Sequence, residues 1–135
     1  MLRQYLTQNK APQIPFKEKE IKSFVNSLPF VLTNDQKKAA WQILLDLEKS
    51  QPANRLLEGD VGSGKTIVAA IATLNVIINN FQAVLMAPTE ILAKQHFLSF
   101  KKLLEPFKIK IALLTSNDKV ISQDEQVKIK EVEVL

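Results

Sequence analysis

The segment from Gly59 to Thr66 reads GDVGSGKT and contains the residue types that bind the phosphates of a nucleotide. It satisfies every fixed position of the pattern G-x-x-x-x-G-K-[S/T], and Gly62 adds a further glycine. Glycines allow successive backbone N–H groups to turn inward around phosphate oxygens, and a helix that follows adds the positive end of its dipole. The pattern therefore predicts a phosphate-binding loop (P-loop).

The last two residues of the motif have separate predicted roles. Lys65 can place a mobile ammonium against the β- and γ-phosphates, and the Thr66 hydroxyl can ligate the Mg²⁺ that bridges them. We predict that these two carry the chemistry. The predicted contact surface for the nucleotide phosphates comprises Gly59, Asp60, Val61, Gly62, Ser63, Gly64, Lys65 and Thr66. The loop does not decide the reaction, because kinases, GTPases, transporters and helicases share it.

The flanking sequence predicts the elements that position this loop. Residues 55–58 are typical of a short strand, residues 59–64 of a glycine-rich turn, and a helix is predicted to begin near Lys65. The apolar stretch 67–78 is broken only by Thr73 and Asn75 and falls short of the roughly 18 residues of a membrane span. It predicts a buried helix instead.

A second helix is predicted ahead of the loop. Thr33 and Gln36 have the spacing of a capping box, and apolar residues then recur at helical spacing, which predicts a helix over residues 34–49. An earlier helical pattern should end at Pro29. Its apolar face comprises Ile21, Phe24, Val25 and Leu28.

Beyond the loop, the sequence predicts two more strands around one helix. Residues 83–87 favour a strand closed by Pro88, Thr89 can cap a helix that runs to about Leu104, and residues 109–115 favour a third strand. Strands that alternate with helices imply parallel pairing through right-handed crossovers. The predicted fold class is therefore α/β, with a parallel sheet flanked by helices.

Composition narrows the range of possible functions. The 135 residues are 46% hydrophobic and 24% charged, the size and make-up of one soluble globular domain. Without cysteine and with one histidine, disulfide and zinc chemistry are not expected. No secretory signal or membrane span is evident, so a cytoplasmic location is expected. The net charge of +4 is compatible both with a polyanionic partner and with solvated lysines on helix faces.

Three stretches resemble the superfamily-two helicases, and RecG-type ATP-dependent DNA helicases in particular. They read LPFVLTNDQ at 28–36, NRLLEGDVGSGKT at 54–66 and APTEILAKQH at 87–96. The resemblance implies a partial first RecA-like motor domain over residues 31–115, preceded by a helical lead-in over 1–30 and followed by a divergent tail over 116–135. It also implies ATP and Mg²⁺ as cofactors and branched DNA as a partner, in recombination and repair.

The same resemblance assigns further residues. In the family the first stretch recognises adenine, which makes Gln36 the base-reading amide and Phe30 a stacking partner. A capping-box role for Gln36 is the alternative. The third stretch places Pro88 and Thr89 where backbone amides meet a DNA phosphate, with a plain N-cap as the alternative for Thr89. Gln95 and His96 continue this motif, but no catalytic role is predicted for them. Trp41 is interpreted as a buried or half-buried aromatic, with a nucleic-acid stacking surface as the alternative.

Two features separate this chain from a complete motor. Asp124, Glu125 and Gln126 resemble an acidic hydrolysis motif, but polar residues precede them and they lie close to the P-loop, so we interpret them as a chance match. The second motor domain is not evident, so the chain is expected to be a fragment without hydrolysis or unwinding. The alternatives are a non-catalytic nucleotide-dependent interaction module, a fragment of a transcription-repair coupling translocase, and a small P-loop kinase or GTPase. Ser63 and the LPFVLT lead-in favour RecG over the translocase.

Overall fold

Residues 9–122 are described by a computed structural model. They belong to two compact units, Met1–Ala83 and Val84–Leu135. The first unit contains helices α1 (Glu18–Ser27), α2 (Asn34–Leu47) and α3 (Lys65–Ile78). The second contains helix α4 (Glu90–Leu104), a 3₁₀ turn (Glu105–Phe107) and strands β1 (Ala112–Leu114) and β2 (Lys119–Ile121). The residues Asp124 to Gln126 lie outside the described part, and the domain bounds drawn from the sequence stay a prediction.

Helix α2 begins at the capping box that the sequence predicts. The Thr33 hydroxyl accepts from the backbone N–H of Gln36 at 3.2 Å, and the Thr33 backbone N–H donates to Gln36 Oε1 at 2.9 Å. Two of the N–H groups that a helix start leaves unpaired are thereby satisfied. The helix ends at Leu47, two residues before the predicted end.

Helix α3 begins at Lys65, as predicted, and its apolar sequence makes it the centre of the first unit. Packing against α1 and α2 buries most of its surface, because leucine, isoleucine and valine lie on more than one face. Among residues 9–83, the buried apolar residues are Ile14, Ile21, Phe24, Leu32, Ala40, Leu44, Ile67, Val68, Ala70, Ile71 and Leu74.

Residues 11–17 form a segment that we call the N-terminal strap. The backbone N–H of Ala11 donates to the carbonyl of Ser50, and that of Ile14 to the carbonyl of Leu47, both at 2.8 Å. The Ile14 side chain is buried, and the Phe16 ring meets Trp41 edge-on with ring centroids 5.3 Å apart. The strap is therefore docked on the helices.

Of the three predicted strands, only the one over residues 109–115 is observed in the described residues, and no parallel sheet is formed there. Segments 55–58 and 83–87 have no strand pairing, and residues 112–114 pair antiparallel with 119–121, a strand that was not predicted. The register places Leu113 opposite Val120. A strand exists only through hydrogen bonds to a neighbour, so an apolar segment without a partner remains extended but unpaired. The α/β content is observed, and the parallel sheet is not.

The second unit packs α4 against the β1–β2 hairpin. Among its described residues, 84–122, the buried apolar ones are Phe100, Leu104 and Leu113. Asn117 Nδ2 donates to both carboxylate oxygens of Glu90, at 3.0 and 3.2 Å. Lys94 Nζ lies 2.7 Å from Asp118 Oδ2, and this contact lowers the pKa of Asp118 and raises that of Lys94. Polar pairs thus tie the turn after β1 to the start of α4.

Within residues 9–122, no helix is long and apolar enough to cross a membrane. The predicted buried helix over 67–78 is part of α3 and packs among the other helices of its unit.

Candidate nucleotide-binding site

Left-handed glycines shape the loop before α3. Gly62 has φ +82° and Gly64 has φ +83°, a region that side chains rarely adopt. The amide of Ser63, between them, donates to the carbonyl of Asp60 at 3.1 Å and closes the turn. A Cβ at Gly64 would collide with Gln36 Nε2, and one at Gly59 would lie 2.7 Å from Ser63 Oγ. The loop therefore needs glycine at Gly64 for both conformation and space.

The Lys65 ammonium lies inside the curve of the loop. Its Nζ donates to the carbonyls of Gly59 at 2.5 Å and Asp60 at 2.7 Å, and lies 3.4 Å from Ser63 Oγ. These are neutral acceptors, and no ion pair between Lys65 and a carboxylate is formed within residues 9–122. The positive charge is thus concentrated in the loop without an acidic partner.

The loop also presents unused backbone donors. In the described part of the chain, the amides of Gly62, Gly64 and Lys65 have no protein acceptor, and α3 starts directly behind them. Amides in alternating left- and right-handed conformations, together with a helix N-terminus, bind anions. The ammonium, the amides and the helix dipole are therefore suited to bind the phosphates of a nucleoside triphosphate.

Gln36 is brought into contact with the loop. Its Nε2 donates to the carbonyl of Ser63 at 2.9 Å, while its Oε1 accepts from Thr33 as part of the capping box. A glutamine amide has two donors and two acceptor lone pairs. One donor and one lone pair remain, so the capping role observed here does not exclude a second role towards a base.

The other predicted contacts are placed as follows. Thr66 lies in the first turn of α3 and is partly buried, and Val61 is fully exposed at the loop tip. Phe30 exposes 47% of its surface just before the capping box. Trp41 exposes 49% of its surface, so its ring is half-buried and is not part of the core.

Arg55 fixes the segment that leads into the loop. Its Nε and Nη2 both contact Asp46 Oδ2, at 2.7 and 2.5 Å, and its Nη1 donates to Gln42 Oε1 at 3.3 Å. Hydrogen bonds from Lys49 and then from Arg55 lower the pKa of Asp46. The contact ties the approach to the P-loop to helix α2.

Pro88 and Thr89 belong to the second unit. The Thr89 hydroxyl accepts from the amide of Leu92 at 3.3 Å, so the N-cap alternative is observed. Pro88 is exposed. Because a hydroxyl that accepts one bond still has a proton to donate, the cap leaves Thr89 able to bind a phosphate oxygen.

Comparison with known proteins decides the family. The model of the DEAD/DEAH box helicase family matches residues 33–135, from the N-cap of α2 onward. The chain belongs to the DEAD/DEAH box helicase family. Within this family, the chain is 44% identical over 115 residues to the ATP-dependent DNA helicase RecG of Aquifex aeolicus. It is 49% identical over 104 residues to that of Bacillus subtilis. These matches confirm the resemblance to RecG-type helicases.

A solved structure agrees with this placement. A RecG bound to a three-way DNA junction matches 80% of this chain with 41% identity and a TM-score of 0.69. The chain spans about 14% of that protein and 14–15% of the two RecG relatives. The likeness therefore concerns a short part of much longer DEAD/DEAH box helicases. It implies the RecA-like α/β fold of the family for this part.

Two polar features of this helicase segment were missed by the sequence interpretation. Asn75 is fully buried in α3, and its presence in an apolar run was a usable signal, because a buried amide needs partners. The Arg55–Asp46 contact had no comparable signal, since nothing in the sequence relates these two positions.

Proposed function

We propose that this chain is the ATP-binding segment of a RecG-like ATP-dependent DNA helicase. The observation that carries the proposal is the loop itself, which holds a lysine ammonium without an acidic partner, unused amides and a helix N-terminus. Such a surface binds a polyphosphate through charge and many weak donors together. The similarity to RecG proteins supports ATP as the nucleotide.

Each part of the loop has one task in this proposal. The ammonium of Lys65 leaves the carbonyls of Gly59 and Asp60 and moves to the β- and γ-phosphate oxygens. The hydroxyl of Thr66 ligates Mg²⁺, which neutralises charge on the phosphates when bound. The amides of Gly62, Gly64 and Lys65 donate to the remaining phosphate oxygens.

Gln36 would select the base. Its remaining donor and lone pair match the donor–acceptor edge of adenine, and guanine presents the opposite pattern. Phe30 supplies an exposed ring for stacking. The bond from Gln36 Nε2 to the Ser63 carbonyl keeps the amide beside the phosphate loop while it reads the base.

The second unit would contact DNA. Pro88 and Thr89 stand at the start of α4, where backbone amides and the Thr89 hydroxyl can hold one phosphate of a DNA strand. In the whole protein, ATP hydrolysis would drive translocation on branched DNA. We further propose that the whole protein contains a parallel RecA-like sheet flanked by helices, the fold of its family.

The first experiment is a nucleotide titration. The purified chain is titrated with a fluorescent ATP analogue and Mg²⁺, in competition with unlabelled ATP and GTP, and compared with Lys65→Ala. Saturable, ATP-selective binding that Lys65→Ala weakens by about a hundredfold is expected, because a charge-assisted contact to phosphate is lost. No binding by the folded chain would contradict the proposal, and a preference for GTP would favour the GTPase alternative.

A further inference from the structure

The fully buried amide of Asn75 has no role in the site described so far. It is the only polar residue within residues 9–122 that is completely buried, and it lies on α3, ten residues after Lys65. At 1.5 Å per residue, that is about 15 Å along the same helix. A buried amide in an apolar helix is costly unless its donors and acceptors are paired, so its partners define what it does.

Both partners of Asn75 belong to the N-terminal strap. Its Oδ1 accepts from the backbone N–H of Lys17 at 2.9 Å, and its Nδ2 donates to the carbonyl of Pro15 at 3.2 Å. Lys17 is the N-cap of α1, and no side chain within α1 caps this helix. The Lys17 backbone N–H is instead paired by Asn75, which lies on α3. One side chain therefore holds the strap and the start of α1 against the P-loop helix.

Other contacts make the strap a stiff, well-fixed segment. Asn79, the residue that follows α3, donates its side-chain amide to the carbonyl of Pro15 at 2.9 Å. The backbone N–H of Phe16 donates to Glu48 Oε1 at 3.0 Å. Pro12 and Pro15 each fix their own φ, which limits the backbone freedom of the strap. A displacement at one end therefore moves the other end as well.

We propose that Asn75 is a positioning residue for nucleotide binding, because it locks the N-terminal strap onto the helix that begins with Lys65 and Thr66. Movement of the strap then reorients α3 and changes the affinity of the loop for phosphate. The inference rests on the proposed nucleotide-binding function and adds a control point to it. By reciprocity of binding free energies, nucleotide also tightens the strap.

Trp41 gives the strap a built-in reporter. It is the only tryptophan of the chain, and its half-exposed ring meets Phe16 of the strap edge-on, with an angle of 87° between the ring planes. Release of the strap removes this contact and exposes more of the indole to water. Tryptophan emission therefore follows docking of the strap directly.

The test compares Asn75→Ala with Gln13→Ala in the full 135-residue chain. Gln13 is exposed and donates only its side-chain amide to the Glu48 carbonyl, so its loss leaves both Asn75 contacts in place. Three readouts are used: hydrogen exchange of the Lys17 amide and of the first turns of α3 without nucleotide, Trp41 emission, and the Kd of the fluorescent ATP analogue.

Asn75→Ala is expected to raise exchange at Lys17 about tenfold, the effect of losing a buried hydrogen-bond partner. We also expect a red shift of Trp41 emission, faster exchange at the start of α3 and a Kd several-fold weaker. Gln13→Ala, which removes one exposed strap contact and keeps both Asn75 contacts, should change each of these readouts far less than Asn75→Ala. A protected strap in Asn75→Ala, or a released strap with unchanged α3 exchange and Kd, would overturn the inference.

A second variant covers the case in which Asn75→Ala does not fold. Glu48 is exposed, and Glu48→Ala removes the acceptor of the Phe16 amide. This variant should therefore also release the strap, but to a smaller extent than Asn75→Ala. Release without any change in α3 exchange would again overturn the inference. If the wild-type chain binds no nucleotide, the proposed function fails, while the exchange data without nucleotide still decide whether the strap controls α3.

Discussion

At the scale of single residues, Gln36 joins a helix start to the phosphate loop through the two ends of one amide. Its Oε1 completes the capping box and its Nε2 holds the Ser63 carbonyl. The capping role could be predicted from spacing alone, because it depends on neighbours in sequence. The contact with Ser63 could not, since it joins positions 27 residues apart.

Replacing Gln36 by glutamate separates these roles. Glutamate is itself a capping-box residue, so the melting temperature should stay within about 2 °C of wild type. It cannot donate to Ser63 or to a base, and its charge repels the carbonyl, so ATP affinity should fall about tenfold or more. Thermal melting and the nucleotide titration measure the two effects. Lower stability with unchanged affinity would leave Gln36 as a cap only.

The two left-handed glycines provide a matched pair of substitutions. Gly62→Ala and Gly64→Ala introduce the same side chain at nearly the same φ, but only the second meets Gln36. Strain alone should cost Gly62→Ala about 1 kcal/mol in unfolding free energy. Gly64→Ala should cost more and also displace Gln36. Urea denaturation gives the difference, and equal losses would mean that the contact with Gln36 is readily relaxed.

At the scale of elements, the helices were predictable, and of the strands only β1, which lies inside the predicted stretch 109–115. Helices α2, α3 and α4 begin where the sequence predicts, at Asn34, Lys65 and Glu90, because caps and helical spacing are local signals. Segments 55–58 and 83–87 have strand-like sequences, but a strand also depends on a partner that no local signal specifies. For the same reason the β1–β2 hairpin went unforeseen.

The contacts of Asp46 with Lys49 and then with Arg55, which leads into the loop, predict a pH dependence. The pKa of Asp46 is lowered in the folded chain, so its contribution is complete above 3.8, the ordinary value, and is lost as pH falls through the lowered value. Asp46→Asn should reduce the unfolding free energy by about 1 kcal/mol at pH 7.

That difference should shrink to nothing in acid, because a protonated Asp46 resembles asparagine. Urea denaturation of both proteins between pH 7 and pH 2 tests it. A difference that persists at pH 2 would mean that packing of the side chain, rather than its charge, holds Arg55.

At the scale of the whole molecule, the chain corresponds to about 14% of the RecG relative from Aquifex aeolicus. In residues 9–122, no carboxylate forms an ion pair with Lys65. Phosphoryl transfer to water needs a group that orients the water and a cation that stabilises the transferring phosphoryl group. A loop that binds nucleotide phosphates is therefore not by itself a complete catalytic site.

We expect the isolated chain to bind Mg²⁺·ATP without sustained hydrolysis, with or without branched DNA. Phosphate release measured over many equivalents of chain tests this, with Lys65→Ala as the background control. DNA-stimulated turnover by the purified chain, absent from that control, would show that residues of this segment complete the catalytic site.

The exposed segment at Val84 to Met86 affects how the chain behaves in solution. Val84 and Met86 expose 88% and 90% of their surface, and this stretch has no strand pairing. Unpaired extended backbone with apolar side chains is a template for intermolecular strands, so the chain should self-associate as its concentration rises. Lysine at Val84 and Met86 would act as a gatekeeper and keep the protein monomeric in light scattering.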